Sequence, residues 1–63
     1  MHSVLDDIEG IGPTRRKALM RRFASIEKIR EATVEELAET ESMNLQAAEK
    51  VYAFFHANGA SEQ

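Results

Sequence analysis

The apolar residues of this chain recur at an interval of 32 positions, and this repeat constrains the fold more than any other feature of the sequence. Each unit has the order short helix, tight turn and longer helix. Neither unit is long enough to bury its apolar face alone, so the two units must pack against each other. Four pairs of residues carry the repeat: Leu5 and Leu37, Ile11 and Met43, Leu19 and Val51, and Phe23 and Phe55.

The signals for helix starts and ends predict an all-α fold of five short helices. Ser3 is expected to cap a helix from Val4 to about Ile8, and Pro13 suits the first turn of a helix that ends at Phe23. The remaining helices are expected at 25–32 behind the cap Ser25, at 33–39 behind a Thr33–Glu36 capping box, and at 44–57 between the cap Asn44 and the stop signal Asn58-Gly59.

These elements define two hairpins within one domain. Hairpin one covers residues 4–23 and hairpin two covers residues 33–57, and the helix at 25–32 connects them. The domain is expected to span 1–58, and residues 59–63 are expected to form a frayed tail.

Length and composition exclude several classes of site. The 63 residues include no Cys, which removes disulfides and thiolate zinc sites. His2 and His56 lie near opposite ends of the chain, so no metal site and no cofactor is predicted. No stretch approaches the roughly 18 apolar residues of a membrane span and no signal peptide is recognisable, so we expect a cytoplasmic protein without a membrane partner. No nucleophile–base pair stands out, which favours a non-catalytic binding module over an enzyme.

The charges are divided unevenly between the two halves of the chain. Residues 1–30 carry seven basic and four acidic side chains, a net charge of +3. Residues 31–63 carry one basic and seven acidic side chains, a net charge of −6. A domain of this kind can present a positive field to an anion although its overall net charge is −3. We therefore expect the first half to bind an anionic partner.

The clearest candidate site is a glycine-rich turn that leads into a basic helix. Two glycines around Ile11 allow a sharp turn, with Ile11 buried beneath it. The turn opens onto a helix N-terminus, whose free amides and dipole favour an anion. The pattern indicates a phosphate-binding corner; the ordinary alternative is a tight helix connection with a solvated basic face. The predicted contacts are Gly10, Ile11, Gly12, Thr14, Arg15, Lys17 and Arg21.

The basic residues of this helix are not expected to act alike. On a period of 3.6 residues, Arg16 lies on the same side as Leu19 and Phe23. We interpret Arg16 as structural, with its guanidinium reaching a helix end or a carbonyl. The phosphate candidates nearest the turn are Thr14, Arg15 and Lys17, and a general positive field is expected from Arg21, Arg22 and Lys28.

The chain resembles a known family. Its segment 8–19 resembles a helix-hairpin-helix motif, and the stretch from about 3 to 56 resembles the tandem domain at the carboxyl end of the UvrC excinuclease subunit family. Further support for the second resemblance comes from Phe23, 29–32, 34–37 and 48–56.

The resemblance implies a SAM-like fold in which the two hairpins pack with pseudo-twofold symmetry. It implies a module that binds DNA, as duplex or at single-strand/double-strand junctions, in bacterial nucleotide excision repair. It also implies that the chain is a fragment of a nuclease subunit whose catalytic centres lie elsewhere.

Hairpin two departs from the family pattern. Where the family often has Pro-Gly followed by two further residues, this chain has Glu41-Ser42-Met43-Asn44. The positions that match Arg15 and Arg16 hold Ala47 and Ala48. A negative turn without glycine is a poor phosphate site, so hairpin one is expected to bind DNA and hairpin two to support the fold.

A second class of function is open for the acidic half of the chain. Its acidic residues, with Phe54 and Phe55 near the end of the chain, predict as an alternative a protein-interaction or dimerisation domain. The partner is then a second copy or another repair subunit. Helical spacing places Tyr52, Phe54 and Phe55 mainly in the core, with Phe54 the candidate for an exposed contact.

Overall fold

The computed structural model describes residues 4–59, and these residues form helices joined by short turns. The predicted all-α fold with five helical elements is confirmed, although the first element is a 3₁₀ helix. Ser3, its predicted cap, lies outside the described residues. The elements in chain order are the 3₁₀ helix Val4–Asp7, α1 Pro13–Phe23, α2 Ile26–Glu31, α3 Val34–Glu39 and α4 Leu45–Gly59.

The last helix differs from its prediction at the carboxyl end. The Asn58-Gly59 pair was expected to stop the helix after Ala57, but α4 continues to Gly59. Gly59 therefore belongs to the helix and not to the predicted tail. The rest of that tail, residues 60–63, lies outside the described residues.

Three predicted helix caps are present. The Oγ of Ser25 accepts a hydrogen bond from the amide of Lys28 (3.2 Å) at the start of α2. Thr33 and Glu36 form a reciprocal capping box at the start of α3, with distances of 3.1 and 3.0 Å. Oδ1 of Asn44 accepts from the amide of Ala47 (2.8 Å) and caps α4. Each cap satisfies an amide that the helix itself leaves free.

The 32-residue repeat reappears in the backbone hydrogen bonds. Each hairpin contains three backbone hydrogen bonds that join equivalent residues of the repeat, and the six bonds are 2.9–3.2 Å long. The two hairpins therefore share one backbone design. The N–H to O=C pairs are Ile8 to Leu5, Ile11 to Ile8 and Arg16 to Gly12 in hairpin one, and Thr40 to Leu37, Met43 to Thr40 and Ala48 to Asn44 in hairpin two.

The core lies between the two hairpins and is closed by the connecting helix. Leu5 and Leu37, at equivalent positions, are both fully buried, and Ile29 of α2 is 1% exposed. Thr40 stands where the repeat places Ile8, and it is buried because its hydroxyl donates to Glu36 O (3.1 Å). The domain measures 31 × 28 × 20 Å.

The aromatic residues of α4 divide between core and surface. Phe54 and Phe55 pack against the core and are partly buried, with their rings edge to face at 5.3 Å. Their predicted place in the core is confirmed. Tyr52 is 38% exposed, so the same prediction is wrong for this residue.

Candidate nucleic-acid interface

The turn of hairpin one has the conformation that its two glycines suggest, but only one of them is required by the backbone. Gly10 has φ = +88°, a left-handed conformation that residues with a side chain rarely adopt. Ile11 is 5% exposed and anchors the turn in the core. Gly12 has φ = −92° and ψ = −170°, which any residue can adopt. A Cβ added to Gly12 would meet no described atom within 4 Å, so the space above the turn is open.

This open space lies at an uncapped helix end. Gly12 is the N-cap of α1, and no side chain caps the helix there. Pro13 has no N–H, and the first amide that the helix satisfies belongs to Arg16, which donates to Gly12 O (2.9 Å). The amides of Thr14 and Arg15 thus remain at the positive end of the helix dipole without a capping side chain. An anion fits this position.

Three of the predicted side chains line one groove beside the turn. The groove has a volume of about 160 Å³ and is formed by α1 on one side and the turn of hairpin two on the other. Lys17 makes no ion pair with the residues that the structure describes. Arg21 lies 3.7 Å from the carboxylate of Glu41, but both side chains are highly exposed and such pairs are weak. The lining residues are Thr14, Lys17, Ala18, Arg21, Glu41 and Ser42.

Arg15 differs from the other predicted contacts because its guanidinium is bound to backbone. Its Nε donates to the carbonyl oxygen of Ser42 (2.9 Å), and its Nη1 donates to the carbonyl oxygen of Gly10 (2.8 Å). Ser42 lies in the turn of hairpin two and Gly10 in the turn of hairpin one. One side chain of α1 therefore connects both turns.

The turn of hairpin two has the same path but different chemistry. Ser42, at the position equivalent to Gly10, has φ = +71° without being glycine. Asn44, at the position equivalent to Gly12, caps α4 with its own side chain. Ala47 and Ala48, at the positions of Arg15 and Arg16, are buried. The second turn therefore offers neither a free helix end nor basic side chains at these positions.

The sequence matches a family model over residues 4–63, and the description of that model is a helix-hairpin-helix motif. The chain belongs to the helix-hairpin-helix family. No solved structure matches it.

Curated relatives of this helix-hairpin-helix chain are much longer proteins. It is 59% identical over 54 residues to the UvrABC system protein C of Lachnospira eligens, and 56% identical over 55 residues to that of Alkaliphilus metalliredigens. The matches cover 86% and 87% of this chain and 9% of each relative. The resemblance to the UvrC family is thereby confirmed, and the chain spans about a tenth of the length of these relatives.

Two arginines of the helix-hairpin-helix domain hold the fold together. Nε of Arg16 lies 3.3 Å from the carboxylate of Asp6, off the direction of a hydrogen bond, so the contact is an ion pair. Arg16 is structural as predicted, but its partner is a carboxylate and not a helix end or a carbonyl. Arg22, predicted to supply a general positive field, donates instead to Glu36 O (2.8 Å) and Thr40 Oγ1 (3.3 Å). It ties α1 to the end of α3.

Lys50 is the basic residue near the site that the sequence reasoning did not select. Its Nζ lies 4.0 Å from Glu9, and its Cδ would lie 3.7 Å from a Cβ added at Gly10. It lines a second groove, of about 200 Å³, together with Gly10, Arg15, Asn44, Gln46 and Ala47. The repeat contained the signal: Lys50 is equivalent to Ala18, which lies beside the opposite turn.

Metal sites and membrane-spanning helices are absent from the part of the chain that the structure describes. Among residues 4–59, no group of three or more His, Asp or Glu side chains is arranged to hold a metal ion. No helix in that part of the chain is long and apolar enough to cross a membrane.

Proposed function

We propose that this domain is a sequence-independent, structure-selective DNA-binding module of a bacterial nucleotide excision repair nuclease subunit. The observation that carries the proposal is the uncapped N-terminus of α1 beside an open glycine turn and beside Lys17, which makes no ion pair within residues 4–59. The similarity to UvrABC system protein C supports the repair context. The domain itself is non-catalytic in this proposal, and the nuclease chemistry belongs to other parts of the longer protein.

The chemistry of binding follows from the geometry of the turn. The amides of Thr14 and Arg15 donate to phosphate oxygens at the positive end of the α1 dipole. Gly10 and Ile11 hold the turn in place, and Gly12 leaves room for the DNA backbone to approach. The hydroxyl of Thr14 and the charges of Lys17 and Arg21 add contacts to the same or the neighbouring phosphate.

Such a site recognises the DNA backbone and not the base sequence. Phosphate contacts position a protein on DNA but carry no sequence information. Apart from Glu41, the side chains that line the groove are short or cationic, and they lie beside a turn and not along a helix inserted between base edges. Selectivity then arises from the shape of the DNA, for example at a junction between single and double strands.

The proposal is tested by fluorescence anisotropy with duplex, bubble and single-stranded probes at low salt. We expect Kd values in the micromolar range, similar for unrelated sequences and weaker as salt rises. Binding no tighter than about millimolar for every probe, or binding that is insensitive to salt, would reject the proposal.

A second candidate function rests on a groove at the other end of α4. This groove, of about 390 Å³, lies between the α2–α3 junction and α4. Its wall contains Glu31 and Glu35, which make no ion pair with the described residues. Its aromatic side is Tyr52, stacked on His56 at 4.0 Å, and Nε2 of His56 lies 3.2 Å from Arg30 O.

The chemistry of this groove suits a cationic side chain of a protein partner. Two carboxylates and an exposed phenol ring can bind an arginine by ion pairing and cation–π contact. No residue that lines this groove also lines the groove of Thr14, Lys17 and Arg21, so a protein and DNA can bind together. We expect a short arginine-rich peptide to bind, Glu35→Gln to weaken it, and DNA affinity to stay unchanged in that variant. Equal peptide affinity in the wild-type domain and in Glu35→Gln would reject this candidate function. Sedimentation equilibrium tests whether the partner is instead a second copy of this chain.

A further inference from the structure

Arg15 bonds to equivalent points of the two hairpins. Its two carbonyl acceptors belong to Gly10 and Ser42, which are 32 residues apart and occupy the same place in the repeat. Both residues have a positive φ, +88° and +71°, so the backbone takes a left-handed conformation at both positions. A single guanidinium therefore connects the two turns.

Among residues 4–59, Arg15 is the one side chain whose hydrogen bonds join the two turns. Two ion pairs also join a turn to the opposite hairpin near the site: Lys50 with Glu9 at 4.0 Å, and Arg21 with Glu41 at 3.7 Å. These four side chains are about half exposed or more, and exposed pairs at such distances contribute little. The bonds of Arg15, at 2.8 and 2.9 Å, are charge-assisted and fixed by the planar shape of the guanidinium.

The two bonds also determine the shape of the candidate site. The bond to Gly10 O holds the turn that precedes the amides of Thr14 and Arg15, which bind phosphate in the proposed function. The bond to Ser42 O holds the opposite wall of the groove that Lys17 and Arg21 line. Two of the five N–H donors of Arg15, that of Nε and one of Nη1, are bound to carbonyls inside the domain and are not directed at a phosphate.

We propose that Arg15 is a positioning residue, which sets the two turns of the domain against each other and supports DNA binding through geometry and not through its charge. The inference rests on the proposed function. In this proposal Arg15 has a different role from Lys17, although both lie on the basic helix α1 and the sequence predicts both as phosphate contacts.

The test separates the charge of Arg15 from its shape. Arg15→Lys keeps the charge but carries it on one nitrogen, which cannot reproduce the two-pronged contact. We expect Arg15→Lys to weaken binding to a duplex about tenfold, because hydrogen bonds to charged groups contribute roughly that much, and to leave the slope of log K against log salt unchanged. Lys17→Ala should instead flatten the slope by about one. Arg30→Ala, an exposed cation on α2, is the control for net charge.

Amide hydrogen exchange provides a readout without DNA. The amide of Met43, bonded to Thr40 O (3.0 Å), lies next to the carbonyl that Arg15 holds. Its exchange should quicken in Arg15→Lys and stay unchanged in Lys17→Ala, while circular dichroism shows both variants folded.

The possible results distinguish a failure of the positioning role of Arg15 from a failure of the proposed DNA-binding function. Wild-type affinity in Arg15→Lys, together with a flattened slope in Arg15→Ala, would show that Arg15 contacts phosphate and would overturn the positioning role alone. Unchanged Met43 exchange in Arg15→Lys would also overturn it. If the wild-type domain binds no DNA probe, the proposed function fails and this role in DNA binding fails with it.

Discussion

The two hairpins of this domain share a backbone but differ in the chemistry of their turns. Hairpin one has a glycine in the left-handed position, a bare glycine cap and basic side chains after it. Hairpin two has Ser42 and Asn44 at the equivalent positions, with Ala47 and Ala48 after them. Their backbone hydrogen bonds nevertheless match in position and length.

The difference shows which residues the fold depends on and which are free for function. The fold needs buried apolar side chains and a left-handed residue in each turn, and both hairpins have them. It does not need an uncapped helix or a basic first turn, because hairpin two has neither. The features found only in hairpin one are therefore the best candidates for selection by a ligand.

The largest effect should come from the shared core, where the two hairpins are expected to behave alike. Leu5→Ala and Leu37→Ala each remove a fully buried side chain. Each should lower the free energy of unfolding by about 3 kcal/mol, within the range of about 2–5 for buried leucines. Urea denaturation followed by circular dichroism measures the loss. Leu45→Ala is the control and should change stability little, because the Leu45 side chain is 57% exposed. A large difference in the loss of stability between Leu5→Ala and Leu37→Ala would contradict the equivalence of the two hairpins.

The left-handed turn residues should respond in opposite directions. Gly10→Ala places a side chain at φ = +88° and should cost about 1–2 kcal/mol of stability. Ser42→Gly relieves the same conformation and should raise stability by up to about 1 kcal/mol, since the larger backbone entropy of glycine offsets part of the gain. Gly12→Ala, at an ordinary φ, is the control for adding a methyl group. A loss of stability in Ser42→Gly would contradict this account of the turn.

The charge at the fifth residue of α1 and of α4 should distinguish the hairpins in DNA binding. Lys17→Ala should weaken duplex binding about five- to tenfold near 0.1 M salt, because one phosphate contact is lost. The equivalent residue in α4 is Glu49, and Glu49→Ala should leave affinity unchanged or raise it slightly. Anisotropy titrations at four or five salt concentrations measure both. Equal losses in the two variants would indicate that both helices contact DNA.

The smallest effect should come from exchanging the helix caps. Gly12→Asn gives α1 the cap that Asn44 gives α4, and it should raise stability by a few tenths of a kcal/mol. It should also lower DNA affinity about threefold, because the new side-chain oxygen competes with phosphate for the free amides. Asn44→Gly should cost a few tenths of a kcal/mol. Unchanged DNA affinity in Gly12→Asn would show that these amides do not bind the ligand.

The part of the fold that the sequence predicts is the part that depends on near neighbours. The caps at Ser25, Thr33 and Asn44 join residues three positions apart, so their pattern is visible in the sequence. The core was predicted for a different reason, because its apolar residues recur at a fixed interval of 32 positions. The carboxyl end of α4 was predicted two residues too early, because Asn58-Gly59 is a weak local stop signal and the helix continues through it.

The candidate site was predicted less completely because its contacts join distant parts of the chain. Thr14, Lys17 and Arg21 were among the contacts predicted from the sequence, and the structure lines one groove with them. No local pattern shows that Arg15 bonds to a residue 27 positions away, or Arg22 to one 14 positions away. A basic run indicates where positive charge lies, but only tertiary packing decides which guanidinium is already bound.

The dimensions of the domain limit how much DNA one copy can cover. Its longest axis is 31 Å, and consecutive base pairs of B-DNA are 3.4 Å apart, so a single copy spans at most about nine base pairs. A single copy bound to a short duplex should therefore protect less than one helical turn. On longer duplexes binding should saturate at a stoichiometry set by this length, so a wider footprint requires more than one copy of the domain.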